Sequence, residues 1–580
     1  MIWYLENYRR HRREREALEA LVAGADWLTP IQWRIDESLR LVWEADIHAG
    51  GRTFPISVRY PNHFPYSPPV VLPRGAQKLW SAHQYGRGGE LCLEYGADNW
   101  HPDITGADMV ASAHRLLEGE TPSAGEHAAV ASRHRTTVGQ ELRGTWKRLL
   151  MTAGLAEQLG RIPGRSVLPA MLAAIFHEEA LVYLVASIGE DGPQKWTDAT
   201  LPSHLIYETF ERRAVLFRWP EDARLPSSES VTEFRAAVAE AGLPLPDSTK
   251  HVLVVQGSAL HGLYLNEDDT EVTEINVIVP EEQRTRLDQD HAKLAARKVA
   301  IVGCGSVGSK IAVILARSGV GKFLLVDDDV FFAGNLVRHD LDWREIATHK
   351  VDGVARKIQL VNPSASCDKR RHRLGGQEAS GSIESLIEGV AGCDLIIDCT
   401  ADPVVFNYLC AAVSFAKKPL LWAEVFGGGI GGLIARHRPL QEPDPPSMRQ
   451  AIENWCRERG KPIERAAIDY GGSPSAHLIA DDADVTVIAS HAARMAIDLL
   501  IPRDPSAFPN SVYLIGLAKG WIFDDPFETY PIDLGPPPVP KAEKTIDPQE
   551  AVAELARIFQ LLSRQNAASP DAQDTQTPST

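Results

Sequence analysis

The sequence predicts a multidomain α/β chain with three differently built parts. Three observations predict it. At 580 residues the chain is too long for one hydrophobic core, since domains usually run to roughly 100–200 residues. Its first part runs helix, short alternating strands, proline-rich loop, helix, which is an α+β order. Just upstream of KVAIVGCGSVGSK (298–310) the pattern changes to strand, glycine loop, helix, strand, the order of a doubly wound, Rossmann-like sheet.

Each element follows from local pattern. Residues 3–24 keep helical spacing as far as Gly24. Alternating runs at 31–35, 40–47 and 54–60 read as strands, with Gly50-Gly51 as a hairpin turn. YPNHFPYSPPVVLP (60–73) is a proline-rich loop, and 106–117 is a helix. These define a first domain, 1–150. A middle domain, 151–285, is of uncertain α/β type and carries no motif. Helix is expected over 166–187, and the apolar run 174–189, broken by His177, Glu178 and Glu179, reads as a buried helix. Strands are expected at 251–256 and 274–279. The third domain, 286–530, has a strand at 298–302, a helix at 306–318 and a strand at 323–326 that ends in Asp327-Asp328-Asp329. Further strands are expected at 394–398 and 420–425. Residues 531–580 read as a proline-rich linker, a helix at 548–563 and a tail of disordered composition.

Composition excludes several functions. There are 77 acids against 60 bases, a net charge of −17, which argues against a nucleic-acid binder held by phosphate contacts. The basic cluster Arg9-Arg10-His11-Arg12-Arg13 is interleaved with Glu6, Glu14 and Glu16 and reads as a solvated helix face. Seven cysteines without a CxxC pair do not make a disulfide framework, and a reduced cytoplasm is the expected setting. The first residues lack the apolar run of a signal peptide, and no stretch of about 18 uncharged apolar residues occurs, so no membrane association is expected.

Gly303, Gly305 and Gly308 form a GxGxxG directly after a strand and before a helix. Such glycines allow a tight turn and close backbone approach, and the helix N-terminus favours phosphate. Alone, the motif fits a dinucleotide dehydrogenase equally well, with Asp327 on the ribose of NAD. The residues that follow distinguish the two: LVDDDVFFAGNLVRHDL (325–341), Lys350, Asn362-Pro363 and DCTADP (398–403). In this order they resemble the adenylation domain of ubiquitin-activating enzymes and their sulfur-carrier relatives, the ThiF/MoeB group. The resemblance implies ATP and Mg2+ as cofactors. It implies Asp327 on the ribose, with Asn335, Arg338 and Lys350 on the phosphates. The acid implied for the metal is Asp402. In a gapless alignment the family's acid position falls on Ala401, one residue earlier. Singly, Asp327 also reads as a strand-end turn residue, Arg338 as a surface cation and Lys350 as a solvated helix residue.

Cys92 lies in GGELCLEYGADNWHP (88–102), after the prolines Pro61, Pro65, Pro68 and Pro69 and eight residues before Trp100. This arrangement resembles ubiquitin-conjugating enzymes and implies that Cys92 carries a thioester. That family has His-Pro-Asn upstream of its cysteine. Here His83-Gln84-Tyr85 stands there, and Gln84 or His83 is the candidate for steadying the oxyanion. Activating enzymes also use a thiol of their own. Cys367, Cys393, Cys399 and Cys410 are the other candidates after the glycine loop, but Cys456 is preferred, because its segment is polar and Arg457 and Arg459 lie near enough in sequence to lower its pKa. The CxxC pairs that hold zinc in sulfur-carrier relatives are missing, so no structural zinc is expected.

The order of domains resembles the fused proteins of bacterial antiphage operons, the CBASS type and related ubiquitin-like conjugation systems. That resemblance implies a protein substrate with a C-terminal tail, either a cGAS-like nucleotidyltransferase or a ubiquitin-like protein. It also implies an amine acceptor and a homodimer. The rivals are a sulfur-carrier adenylyltransferase with an inactive N-terminal domain, an NAD-dependent oxidoreductase, and a non-catalytic scaffold that binds the tail.

Overall fold

The computed structural model describes residues 2–75, 80–81, 83–85, 88–96, 99–120, 138–207, 209–221, 225, 230–243, 245–266, 271–279, 288–376, 379–462, 480–535 and 547–567. The chain divides into two compact units, Met1–Gly144 and Thr145–Thr580.

The first unit is α+β. Helices α1 (Trp3–Glu6) and α2 (Tyr8–Gly24) precede a meander of β1 (Leu28–Ile35), β2 (Leu41–Ala49), β3 (Arg52–Arg59) and β4 (Val70–Pro73), all antiparallel in that order. Gly50 and Gly51, at φ 51° and 72°, make the β2–β3 hairpin turn that the sequence predicts. Helices α3 (Gly106–Gly119) and α4 (Val138–Glu141) follow. The core gathers Leu18 from α2, Trp43, Ile56 and Val58 from the sheet, and Val110 and Leu117 from α3.

One expectation fails here. Arg10, placed by pattern on a solvated face, is buried and pairs with the fully buried Glu14 at 2.8 Å. Glu14 accepts from the Tyr60 hydroxyl at 3.0 Å and the Gly106 amide at 2.6 Å, while Arg10 donates to the carbonyls of Pro102 and Ile104. The pair therefore ties α2 to Tyr60, just after β3, and to the start of α3.

The second unit holds two sheets. The first contains β5 (Lys147–Leu150), β6 (Val167–Phe176), β7 (Leu181–Ile188), β8 (Trp196–Thr197), β9 (Phe210–Arg218), β10 (His251–Gln256), β11 (Ala259–Leu265) and β12 (Val272–Ile278). Their order is β5-β12-β11-β10-β9-β6-β7-β8, and β5 also pairs with β7. Seven strands thus close on themselves as a barrel, with β8 as an appendage. Helices α5 (Ala153–Arg161), α6 (Ser203–Tyr207) and α7 (Val231–Glu240) decorate it.

The helix expected over 166–187, and within it the buried helix 174–189, is instead the hairpin β6–β7. Its turn falls on His177, Glu178 and Glu179, with the His177 amide donating to the Ala180 carbonyl at 2.8 Å. Both faces of β6 are covered. Leu172 and Ala174 fill the barrel, while Ala173 packs outward with Leu184 and Ala186. Two-sided burial removes the polar alternation that marks a half-buried strand. Strand β5 also lay inside the predicted first domain, but it belongs to this barrel.

The second sheet has the order β15-β14-β13-β16-β17-β18-β19-β20. Strands β13 (Lys298–Val302), β14 (Lys322–Val326), β15 (Ser366–Arg370), β16 (Leu395–Asp398) and β17 (Leu420–Val425) are parallel, and β18 (Gly431–His437), β19 (Val512–Gly516) and β20 (Thr529–Pro531) extend it antiparallel. Helices α8 (Ser306–Arg317), α9 (Lys350–Val361), α10 (Ser380–Ala391), α11 (Pro403–Ala416), α12 (Pro445–Glu458) and α13 (Asp482–Leu500) accompany it, and separate apolar cores form on its two faces. This is the predicted doubly wound sheet. Helix α14 (Pro548–Ala567) runs four residues beyond its predicted end. Most of the predicted linker (536–546) and of the tail (568–580) lies outside the described residues. None of the described helices is long and apolar enough to cross a membrane.

Removing one member of the Arg10–Glu14 pair strands a buried charge. Glu14→Ala is expected to destabilise the first unit by about 3–5 kcal/mol, measured by denaturant unfolding against wild type.

Candidate functional site

The parallel strands aim their carboxyl ends at one crevice. It lies where the order reverses between β13 and β16, the position at which open α/β sheets bind ligands. The loop after β13 is built by its glycines. Gly303 sits at φ 86°, and a Cβ there would meet Thr400 Cγ2 at 2.8 Å. A Cβ on Gly308 would lie 1.9 Å from the Gly303 carbonyl oxygen. Gly305 caps α8, and a Cβ there meets nothing within 4 Å. The first and third glycines are thus required by protein packing, while the second faces open space at a helix N-terminus, where a phosphate fits.

The peptide of Cys304 is held from both sides. Asp327, at the end of β14, accepts the Cys304 amide at 2.7 Å through Oδ2 and the Asp329 amide at 2.8 Å through Oδ1. Burial pushes its carboxyl up from the usual carboxylate range, against the pull of Lys350 and of these amides. His339 Nε2 lies 2.8 Å from the Cys304 carbonyl, while its Nδ1 accepts from the Leu341 amide at 3.2 Å. That pairing fixes a neutral imidazole that donates from Nε2. Burial lowers the His339 pKa to about 4. The sequence reading overlooked His339, because a lone histidine in RHD carries no pattern of its own.

The other predicted residues line the same strand ends with different commitments. Lys350 starts α9 and pairs with Asp329 at 2.7 Å. The Asn335 side chain accepts from the Phe332 amide at 2.9 Å and shapes its own turn. Arg338 is half-buried, and its side chain has no hydrogen bond or ion pair with another described residue. Asp402 caps α11 through the Val404 amide at 2.8 Å and pairs with Arg373 at 3.0 Å, so its carboxylate is already engaged. Ala401 stands at φ 54°, and Asp398, whose carboxyl burial pushes up to about 6, accepts from the Thr400 amide and hydroxyl. One oxygen from each of Asp327, Asp328 and Asp329 lies within 4.8 Å of the others, a cluster of hard oxygen donors in which Asp327 already accepts two amides and Asp329 pairs with Lys350.

Cys456 is not the polar-face thiol of depressed pKa that the sequence suggests. It is fully buried on the inner face of α12 beside Met448 and Ile452, and burial pushes its thiol up to about 11 despite Arg459. Arg457 donates instead to Asn454, and the Arg459 guanidinium stacks on Trp455 at 3.6 Å. The thiols of Cys304, Cys367, Cys393, Cys399 and Cys410 are likewise pushed up by burial.

In the first unit Cys92 is half-buried, with its amide donating to the His83 carbonyl at 2.7 Å. Gln84 does not present a spare amide as expected. Its Oε1 accepts from Trp80 at 2.9 Å and its Nε2 donates to the Gly89 carbonyl at 3.0 Å. His83 is buried, 3.7 Å from Glu120. The group at the sulfur is Tyr85. Its side chain hydrogen-bonds Cys92, and its phenol pKa is raised by burial and then by Cys92 and Glu90. Trp100 donates to the Pro65 carbonyl at 2.7 Å and so fastens the cysteine loop to the proline-rich loop.

Comparison with known proteins agrees with the second unit's geometry. Residues 281–439 match the ThiF family. The second unit therefore carries a ThiF-type domain. The sulfur carrier protein ThiS adenylyltransferase of Escherichia coli is 32% identical over 176 residues, 29% of this chain and 65% of that protein. The adenylyltransferase and sulfurtransferase uba4 of Aspergillus fumigatus is 33% identical over 137 residues, 23% of this chain and 26% of that protein. An uncharacterized protein of Sinorhizobium fredii, y4qC, is 29% identical over 226 residues, 37% of this chain and 38% of that protein. The chain spans less than two thirds of each of these relatives. Among solved structures, E. coli MccB with AMPCPP and MccA is 19% identical, with 43% of this chain and 67% of that chain covered at a TM-score of 0.33.

Two outcomes follow from these contacts. His339 is neutral when folded but protonates near its ordinary value of 6.5 when unfolded, so its contribution falls as pH drops from 6.5 towards 4. Equilibrium unfolding at stepped pH should show a stability loss in that window that is shallower in His339→Asn, by up to roughly 3 kcal/mol. Tyr85→Phe removes a hydrogen-bond donor from the Cys92 sulfur, and it should leave folding intact and slow alkylation of Cys92 by iodoacetamide by about tenfold, read by mass spectrometry.

Proposed function

We propose that this protein activates the C-terminal carboxylate of a protein tail with ATP and transfers the acyl group through Cys92 to an amine. The observation that carries the first step is the Gly305 turn, open at a helix N-terminus and braced by Asp327, within a stretch that matches the ThiF family. In that step a tail carboxylate oxygen bonds to the α-phosphorus of ATP, and the bond to the bridging oxygen breaks to release pyrophosphate. Asp327 would hold the ribose, and Arg338 and Lys350 would meet the charge on the phosphoryl oxygens. The Asp327–Asp329 carboxylates or Asp402 would hold Mg2+, which would neutralise charge on the phosphates.

The Cys92 thiolate then attacks the acyl carbon and AMP leaves. An amine attacks the thioester next, and the thiolate departs. Two easier displacements replace one difficult one. Because Cys456 is fully buried and its thiol is pushed up to about 11, the proposal uses Cys92 as the acyl-carrying thiol. The fused arrangement suits an antiphage conjugation system, with a cGAS-like nucleotidyltransferase or a ubiquitin-like protein as the tail donor and a homodimer as the working form. A second reading, a sulfur-carrier adenylyltransferase, is favoured by the names of the relatives ThiS adenylyltransferase and uba4.

The test incubates the full chain with ATP, Mg2+ and candidate tail proteins, and reads pyrophosphate exchange beside a non-reducing gel. Asp327→Ala is expected to cut exchange by about 10²-fold. Cys92→Ala is expected to keep exchange and lose both the reductant-sensitive adduct and the amide conjugate. Exchange with no adduct on the wild-type chain favours the sulfur-carrier reading, and normal conjugation by Cys92→Ala overturns the role of that thiol. Binding of the tail with no exchange leaves only a scaffold.

A further inference from the structure

The closed barrel of the second unit has a chemistry that adenylation does not use. Side chains from four strands meet across its lumen at one end. His251 on β10 lies 3.2 Å from the Tyr183 hydroxyl on β7, although β9 and β6 separate those strands in the sheet. The His251 ring sits 5.2 Å from the rings of both Tyr183 and Tyr264, the latter on β11. The Lys147 ammonium, on β5, lies 3.8 Å over the Tyr264 ring. Such convergence requires all four to point inward. Strand parity adds the alternate residues of β9, where Ala214 and Leu216 line the lumen, so Arg212 and Phe210 share that face at the rim. Phe176, on the same face of β6 as Ala174, meets Phe210 edge to face at 5.5 Å.

The arrangement is layered. Tyr183 and His251 are 2% and 5% exposed and form a polar floor. Phe176 and Phe210 are 51% and 61% exposed and form an aromatic lip. Between them stand Lys147 and Arg212, neither of which has a carboxylate within ion-pair distance among the described residues. Both cations, with Lys250, reinforce the burial that keeps His251 neutral, and Glu271 is the acid felt by Lys147. Glu178 and Glu179 are exposed on the β6–β7 turn. Arg212 donates to the Glu211 carbonyl at 3.1 Å, and exposed aromatic rings beside two cations that form no ion pair with a described carboxylate suit a ligand that has both a flat face and a negative charge.

We infer that this barrel mouth is a binding site for a small aromatic anion, a planar ring bearing a phosphate or carboxylate, with its charge on Lys147 and Arg212 and its ring against Phe210 and Phe176. The ligand stands above the Tyr183–His251 floor, whose hydroxyl and imidazole fix the height at which the ring rests. This site is independent of the nucleotide crevice.

The test titrates the full chain with phenyl phosphate, benzoate and inorganic phosphate by calorimetry. Wild type is expected to bind phenyl phosphate or benzoate at least about tenfold tighter than inorganic phosphate, and whichever of the two binds better identifies the head group. Arg212→Gln and, separately, Lys147→Met should weaken that binding by about tenfold or more while retaining wild-type pyrophosphate exchange. Two variants on different strands keep the reading secure if one of them folds poorly. Asp327→Ala should bind the aromatic probes as wild type does. The inference is overturned if the ring confers no advantage over inorganic phosphate, if the rim variants bind as tightly as wild type, or if Asp327→Ala removes the binding.

Discussion

The second unit turns on one peptide group. The amide of Cys304 is taken by Asp327 and its carbonyl by His339, so the tight turn after β13 is clamped on both sides. A glycine turn has many accessible backbone states, and something must select one. Here a carboxylate on the neighbouring strand and a neutral imidazole beyond the next turn do so together. The same carboxylate also accepts the Asp329 amide, so it shapes the end of β14 as well as the glycine loop.

The first unit depends on a comparable ionic tie of different character. Arg10 and Glu14 connect three segments distant in sequence, and they frame the loops carrying Pro65, Cys92 and Trp100. Around Cys92 the chain spends its polar side chains on loop architecture. Gln84 is bound at both ends within its own loop, leaving the Tyr85 hydroxyl as the group that addresses the sulfur.

Much of the doubly wound sheet was legible because β13, β14 and β16 are short apolar runs stopped by a glycine or an acid, whereas the polar edge strand β15, SCDKR, gave no such signal. Residues 298–302 and 420–425, and in the barrel 251–256, form strands with the predicted bounds. The β6–β7 hairpin was not legible, because alanine and leucine on both faces imitate a buried helix, and only the long-range pairing with β9 decides otherwise. Arg10 and Cys456 failed for a shared reason. Sequence neighbours on a helix point about 100° apart, so a charged stretch does not say which of its members faces inward. Arginines at 457 and 459 leave Cys456 on the apolar side of α12. His339 and Tyr85 had no sequence signal, since their importance comes from what lies opposite them.

The barrel closes by pairing its first strand, β5, with both β7 and its last strand, β12. No seam exists until β12 has left the ribosome, so the segment is a late-closing, non-local structure whose formation carries a large loop-entropy cost. Once closed, the strands by which the chain enters and leaves lie side by side. Those two strands run parallel, so the chain enters the barrel at one end of the seam and leaves at the other, and the barrel shares its compact unit with the doubly wound sheet that follows.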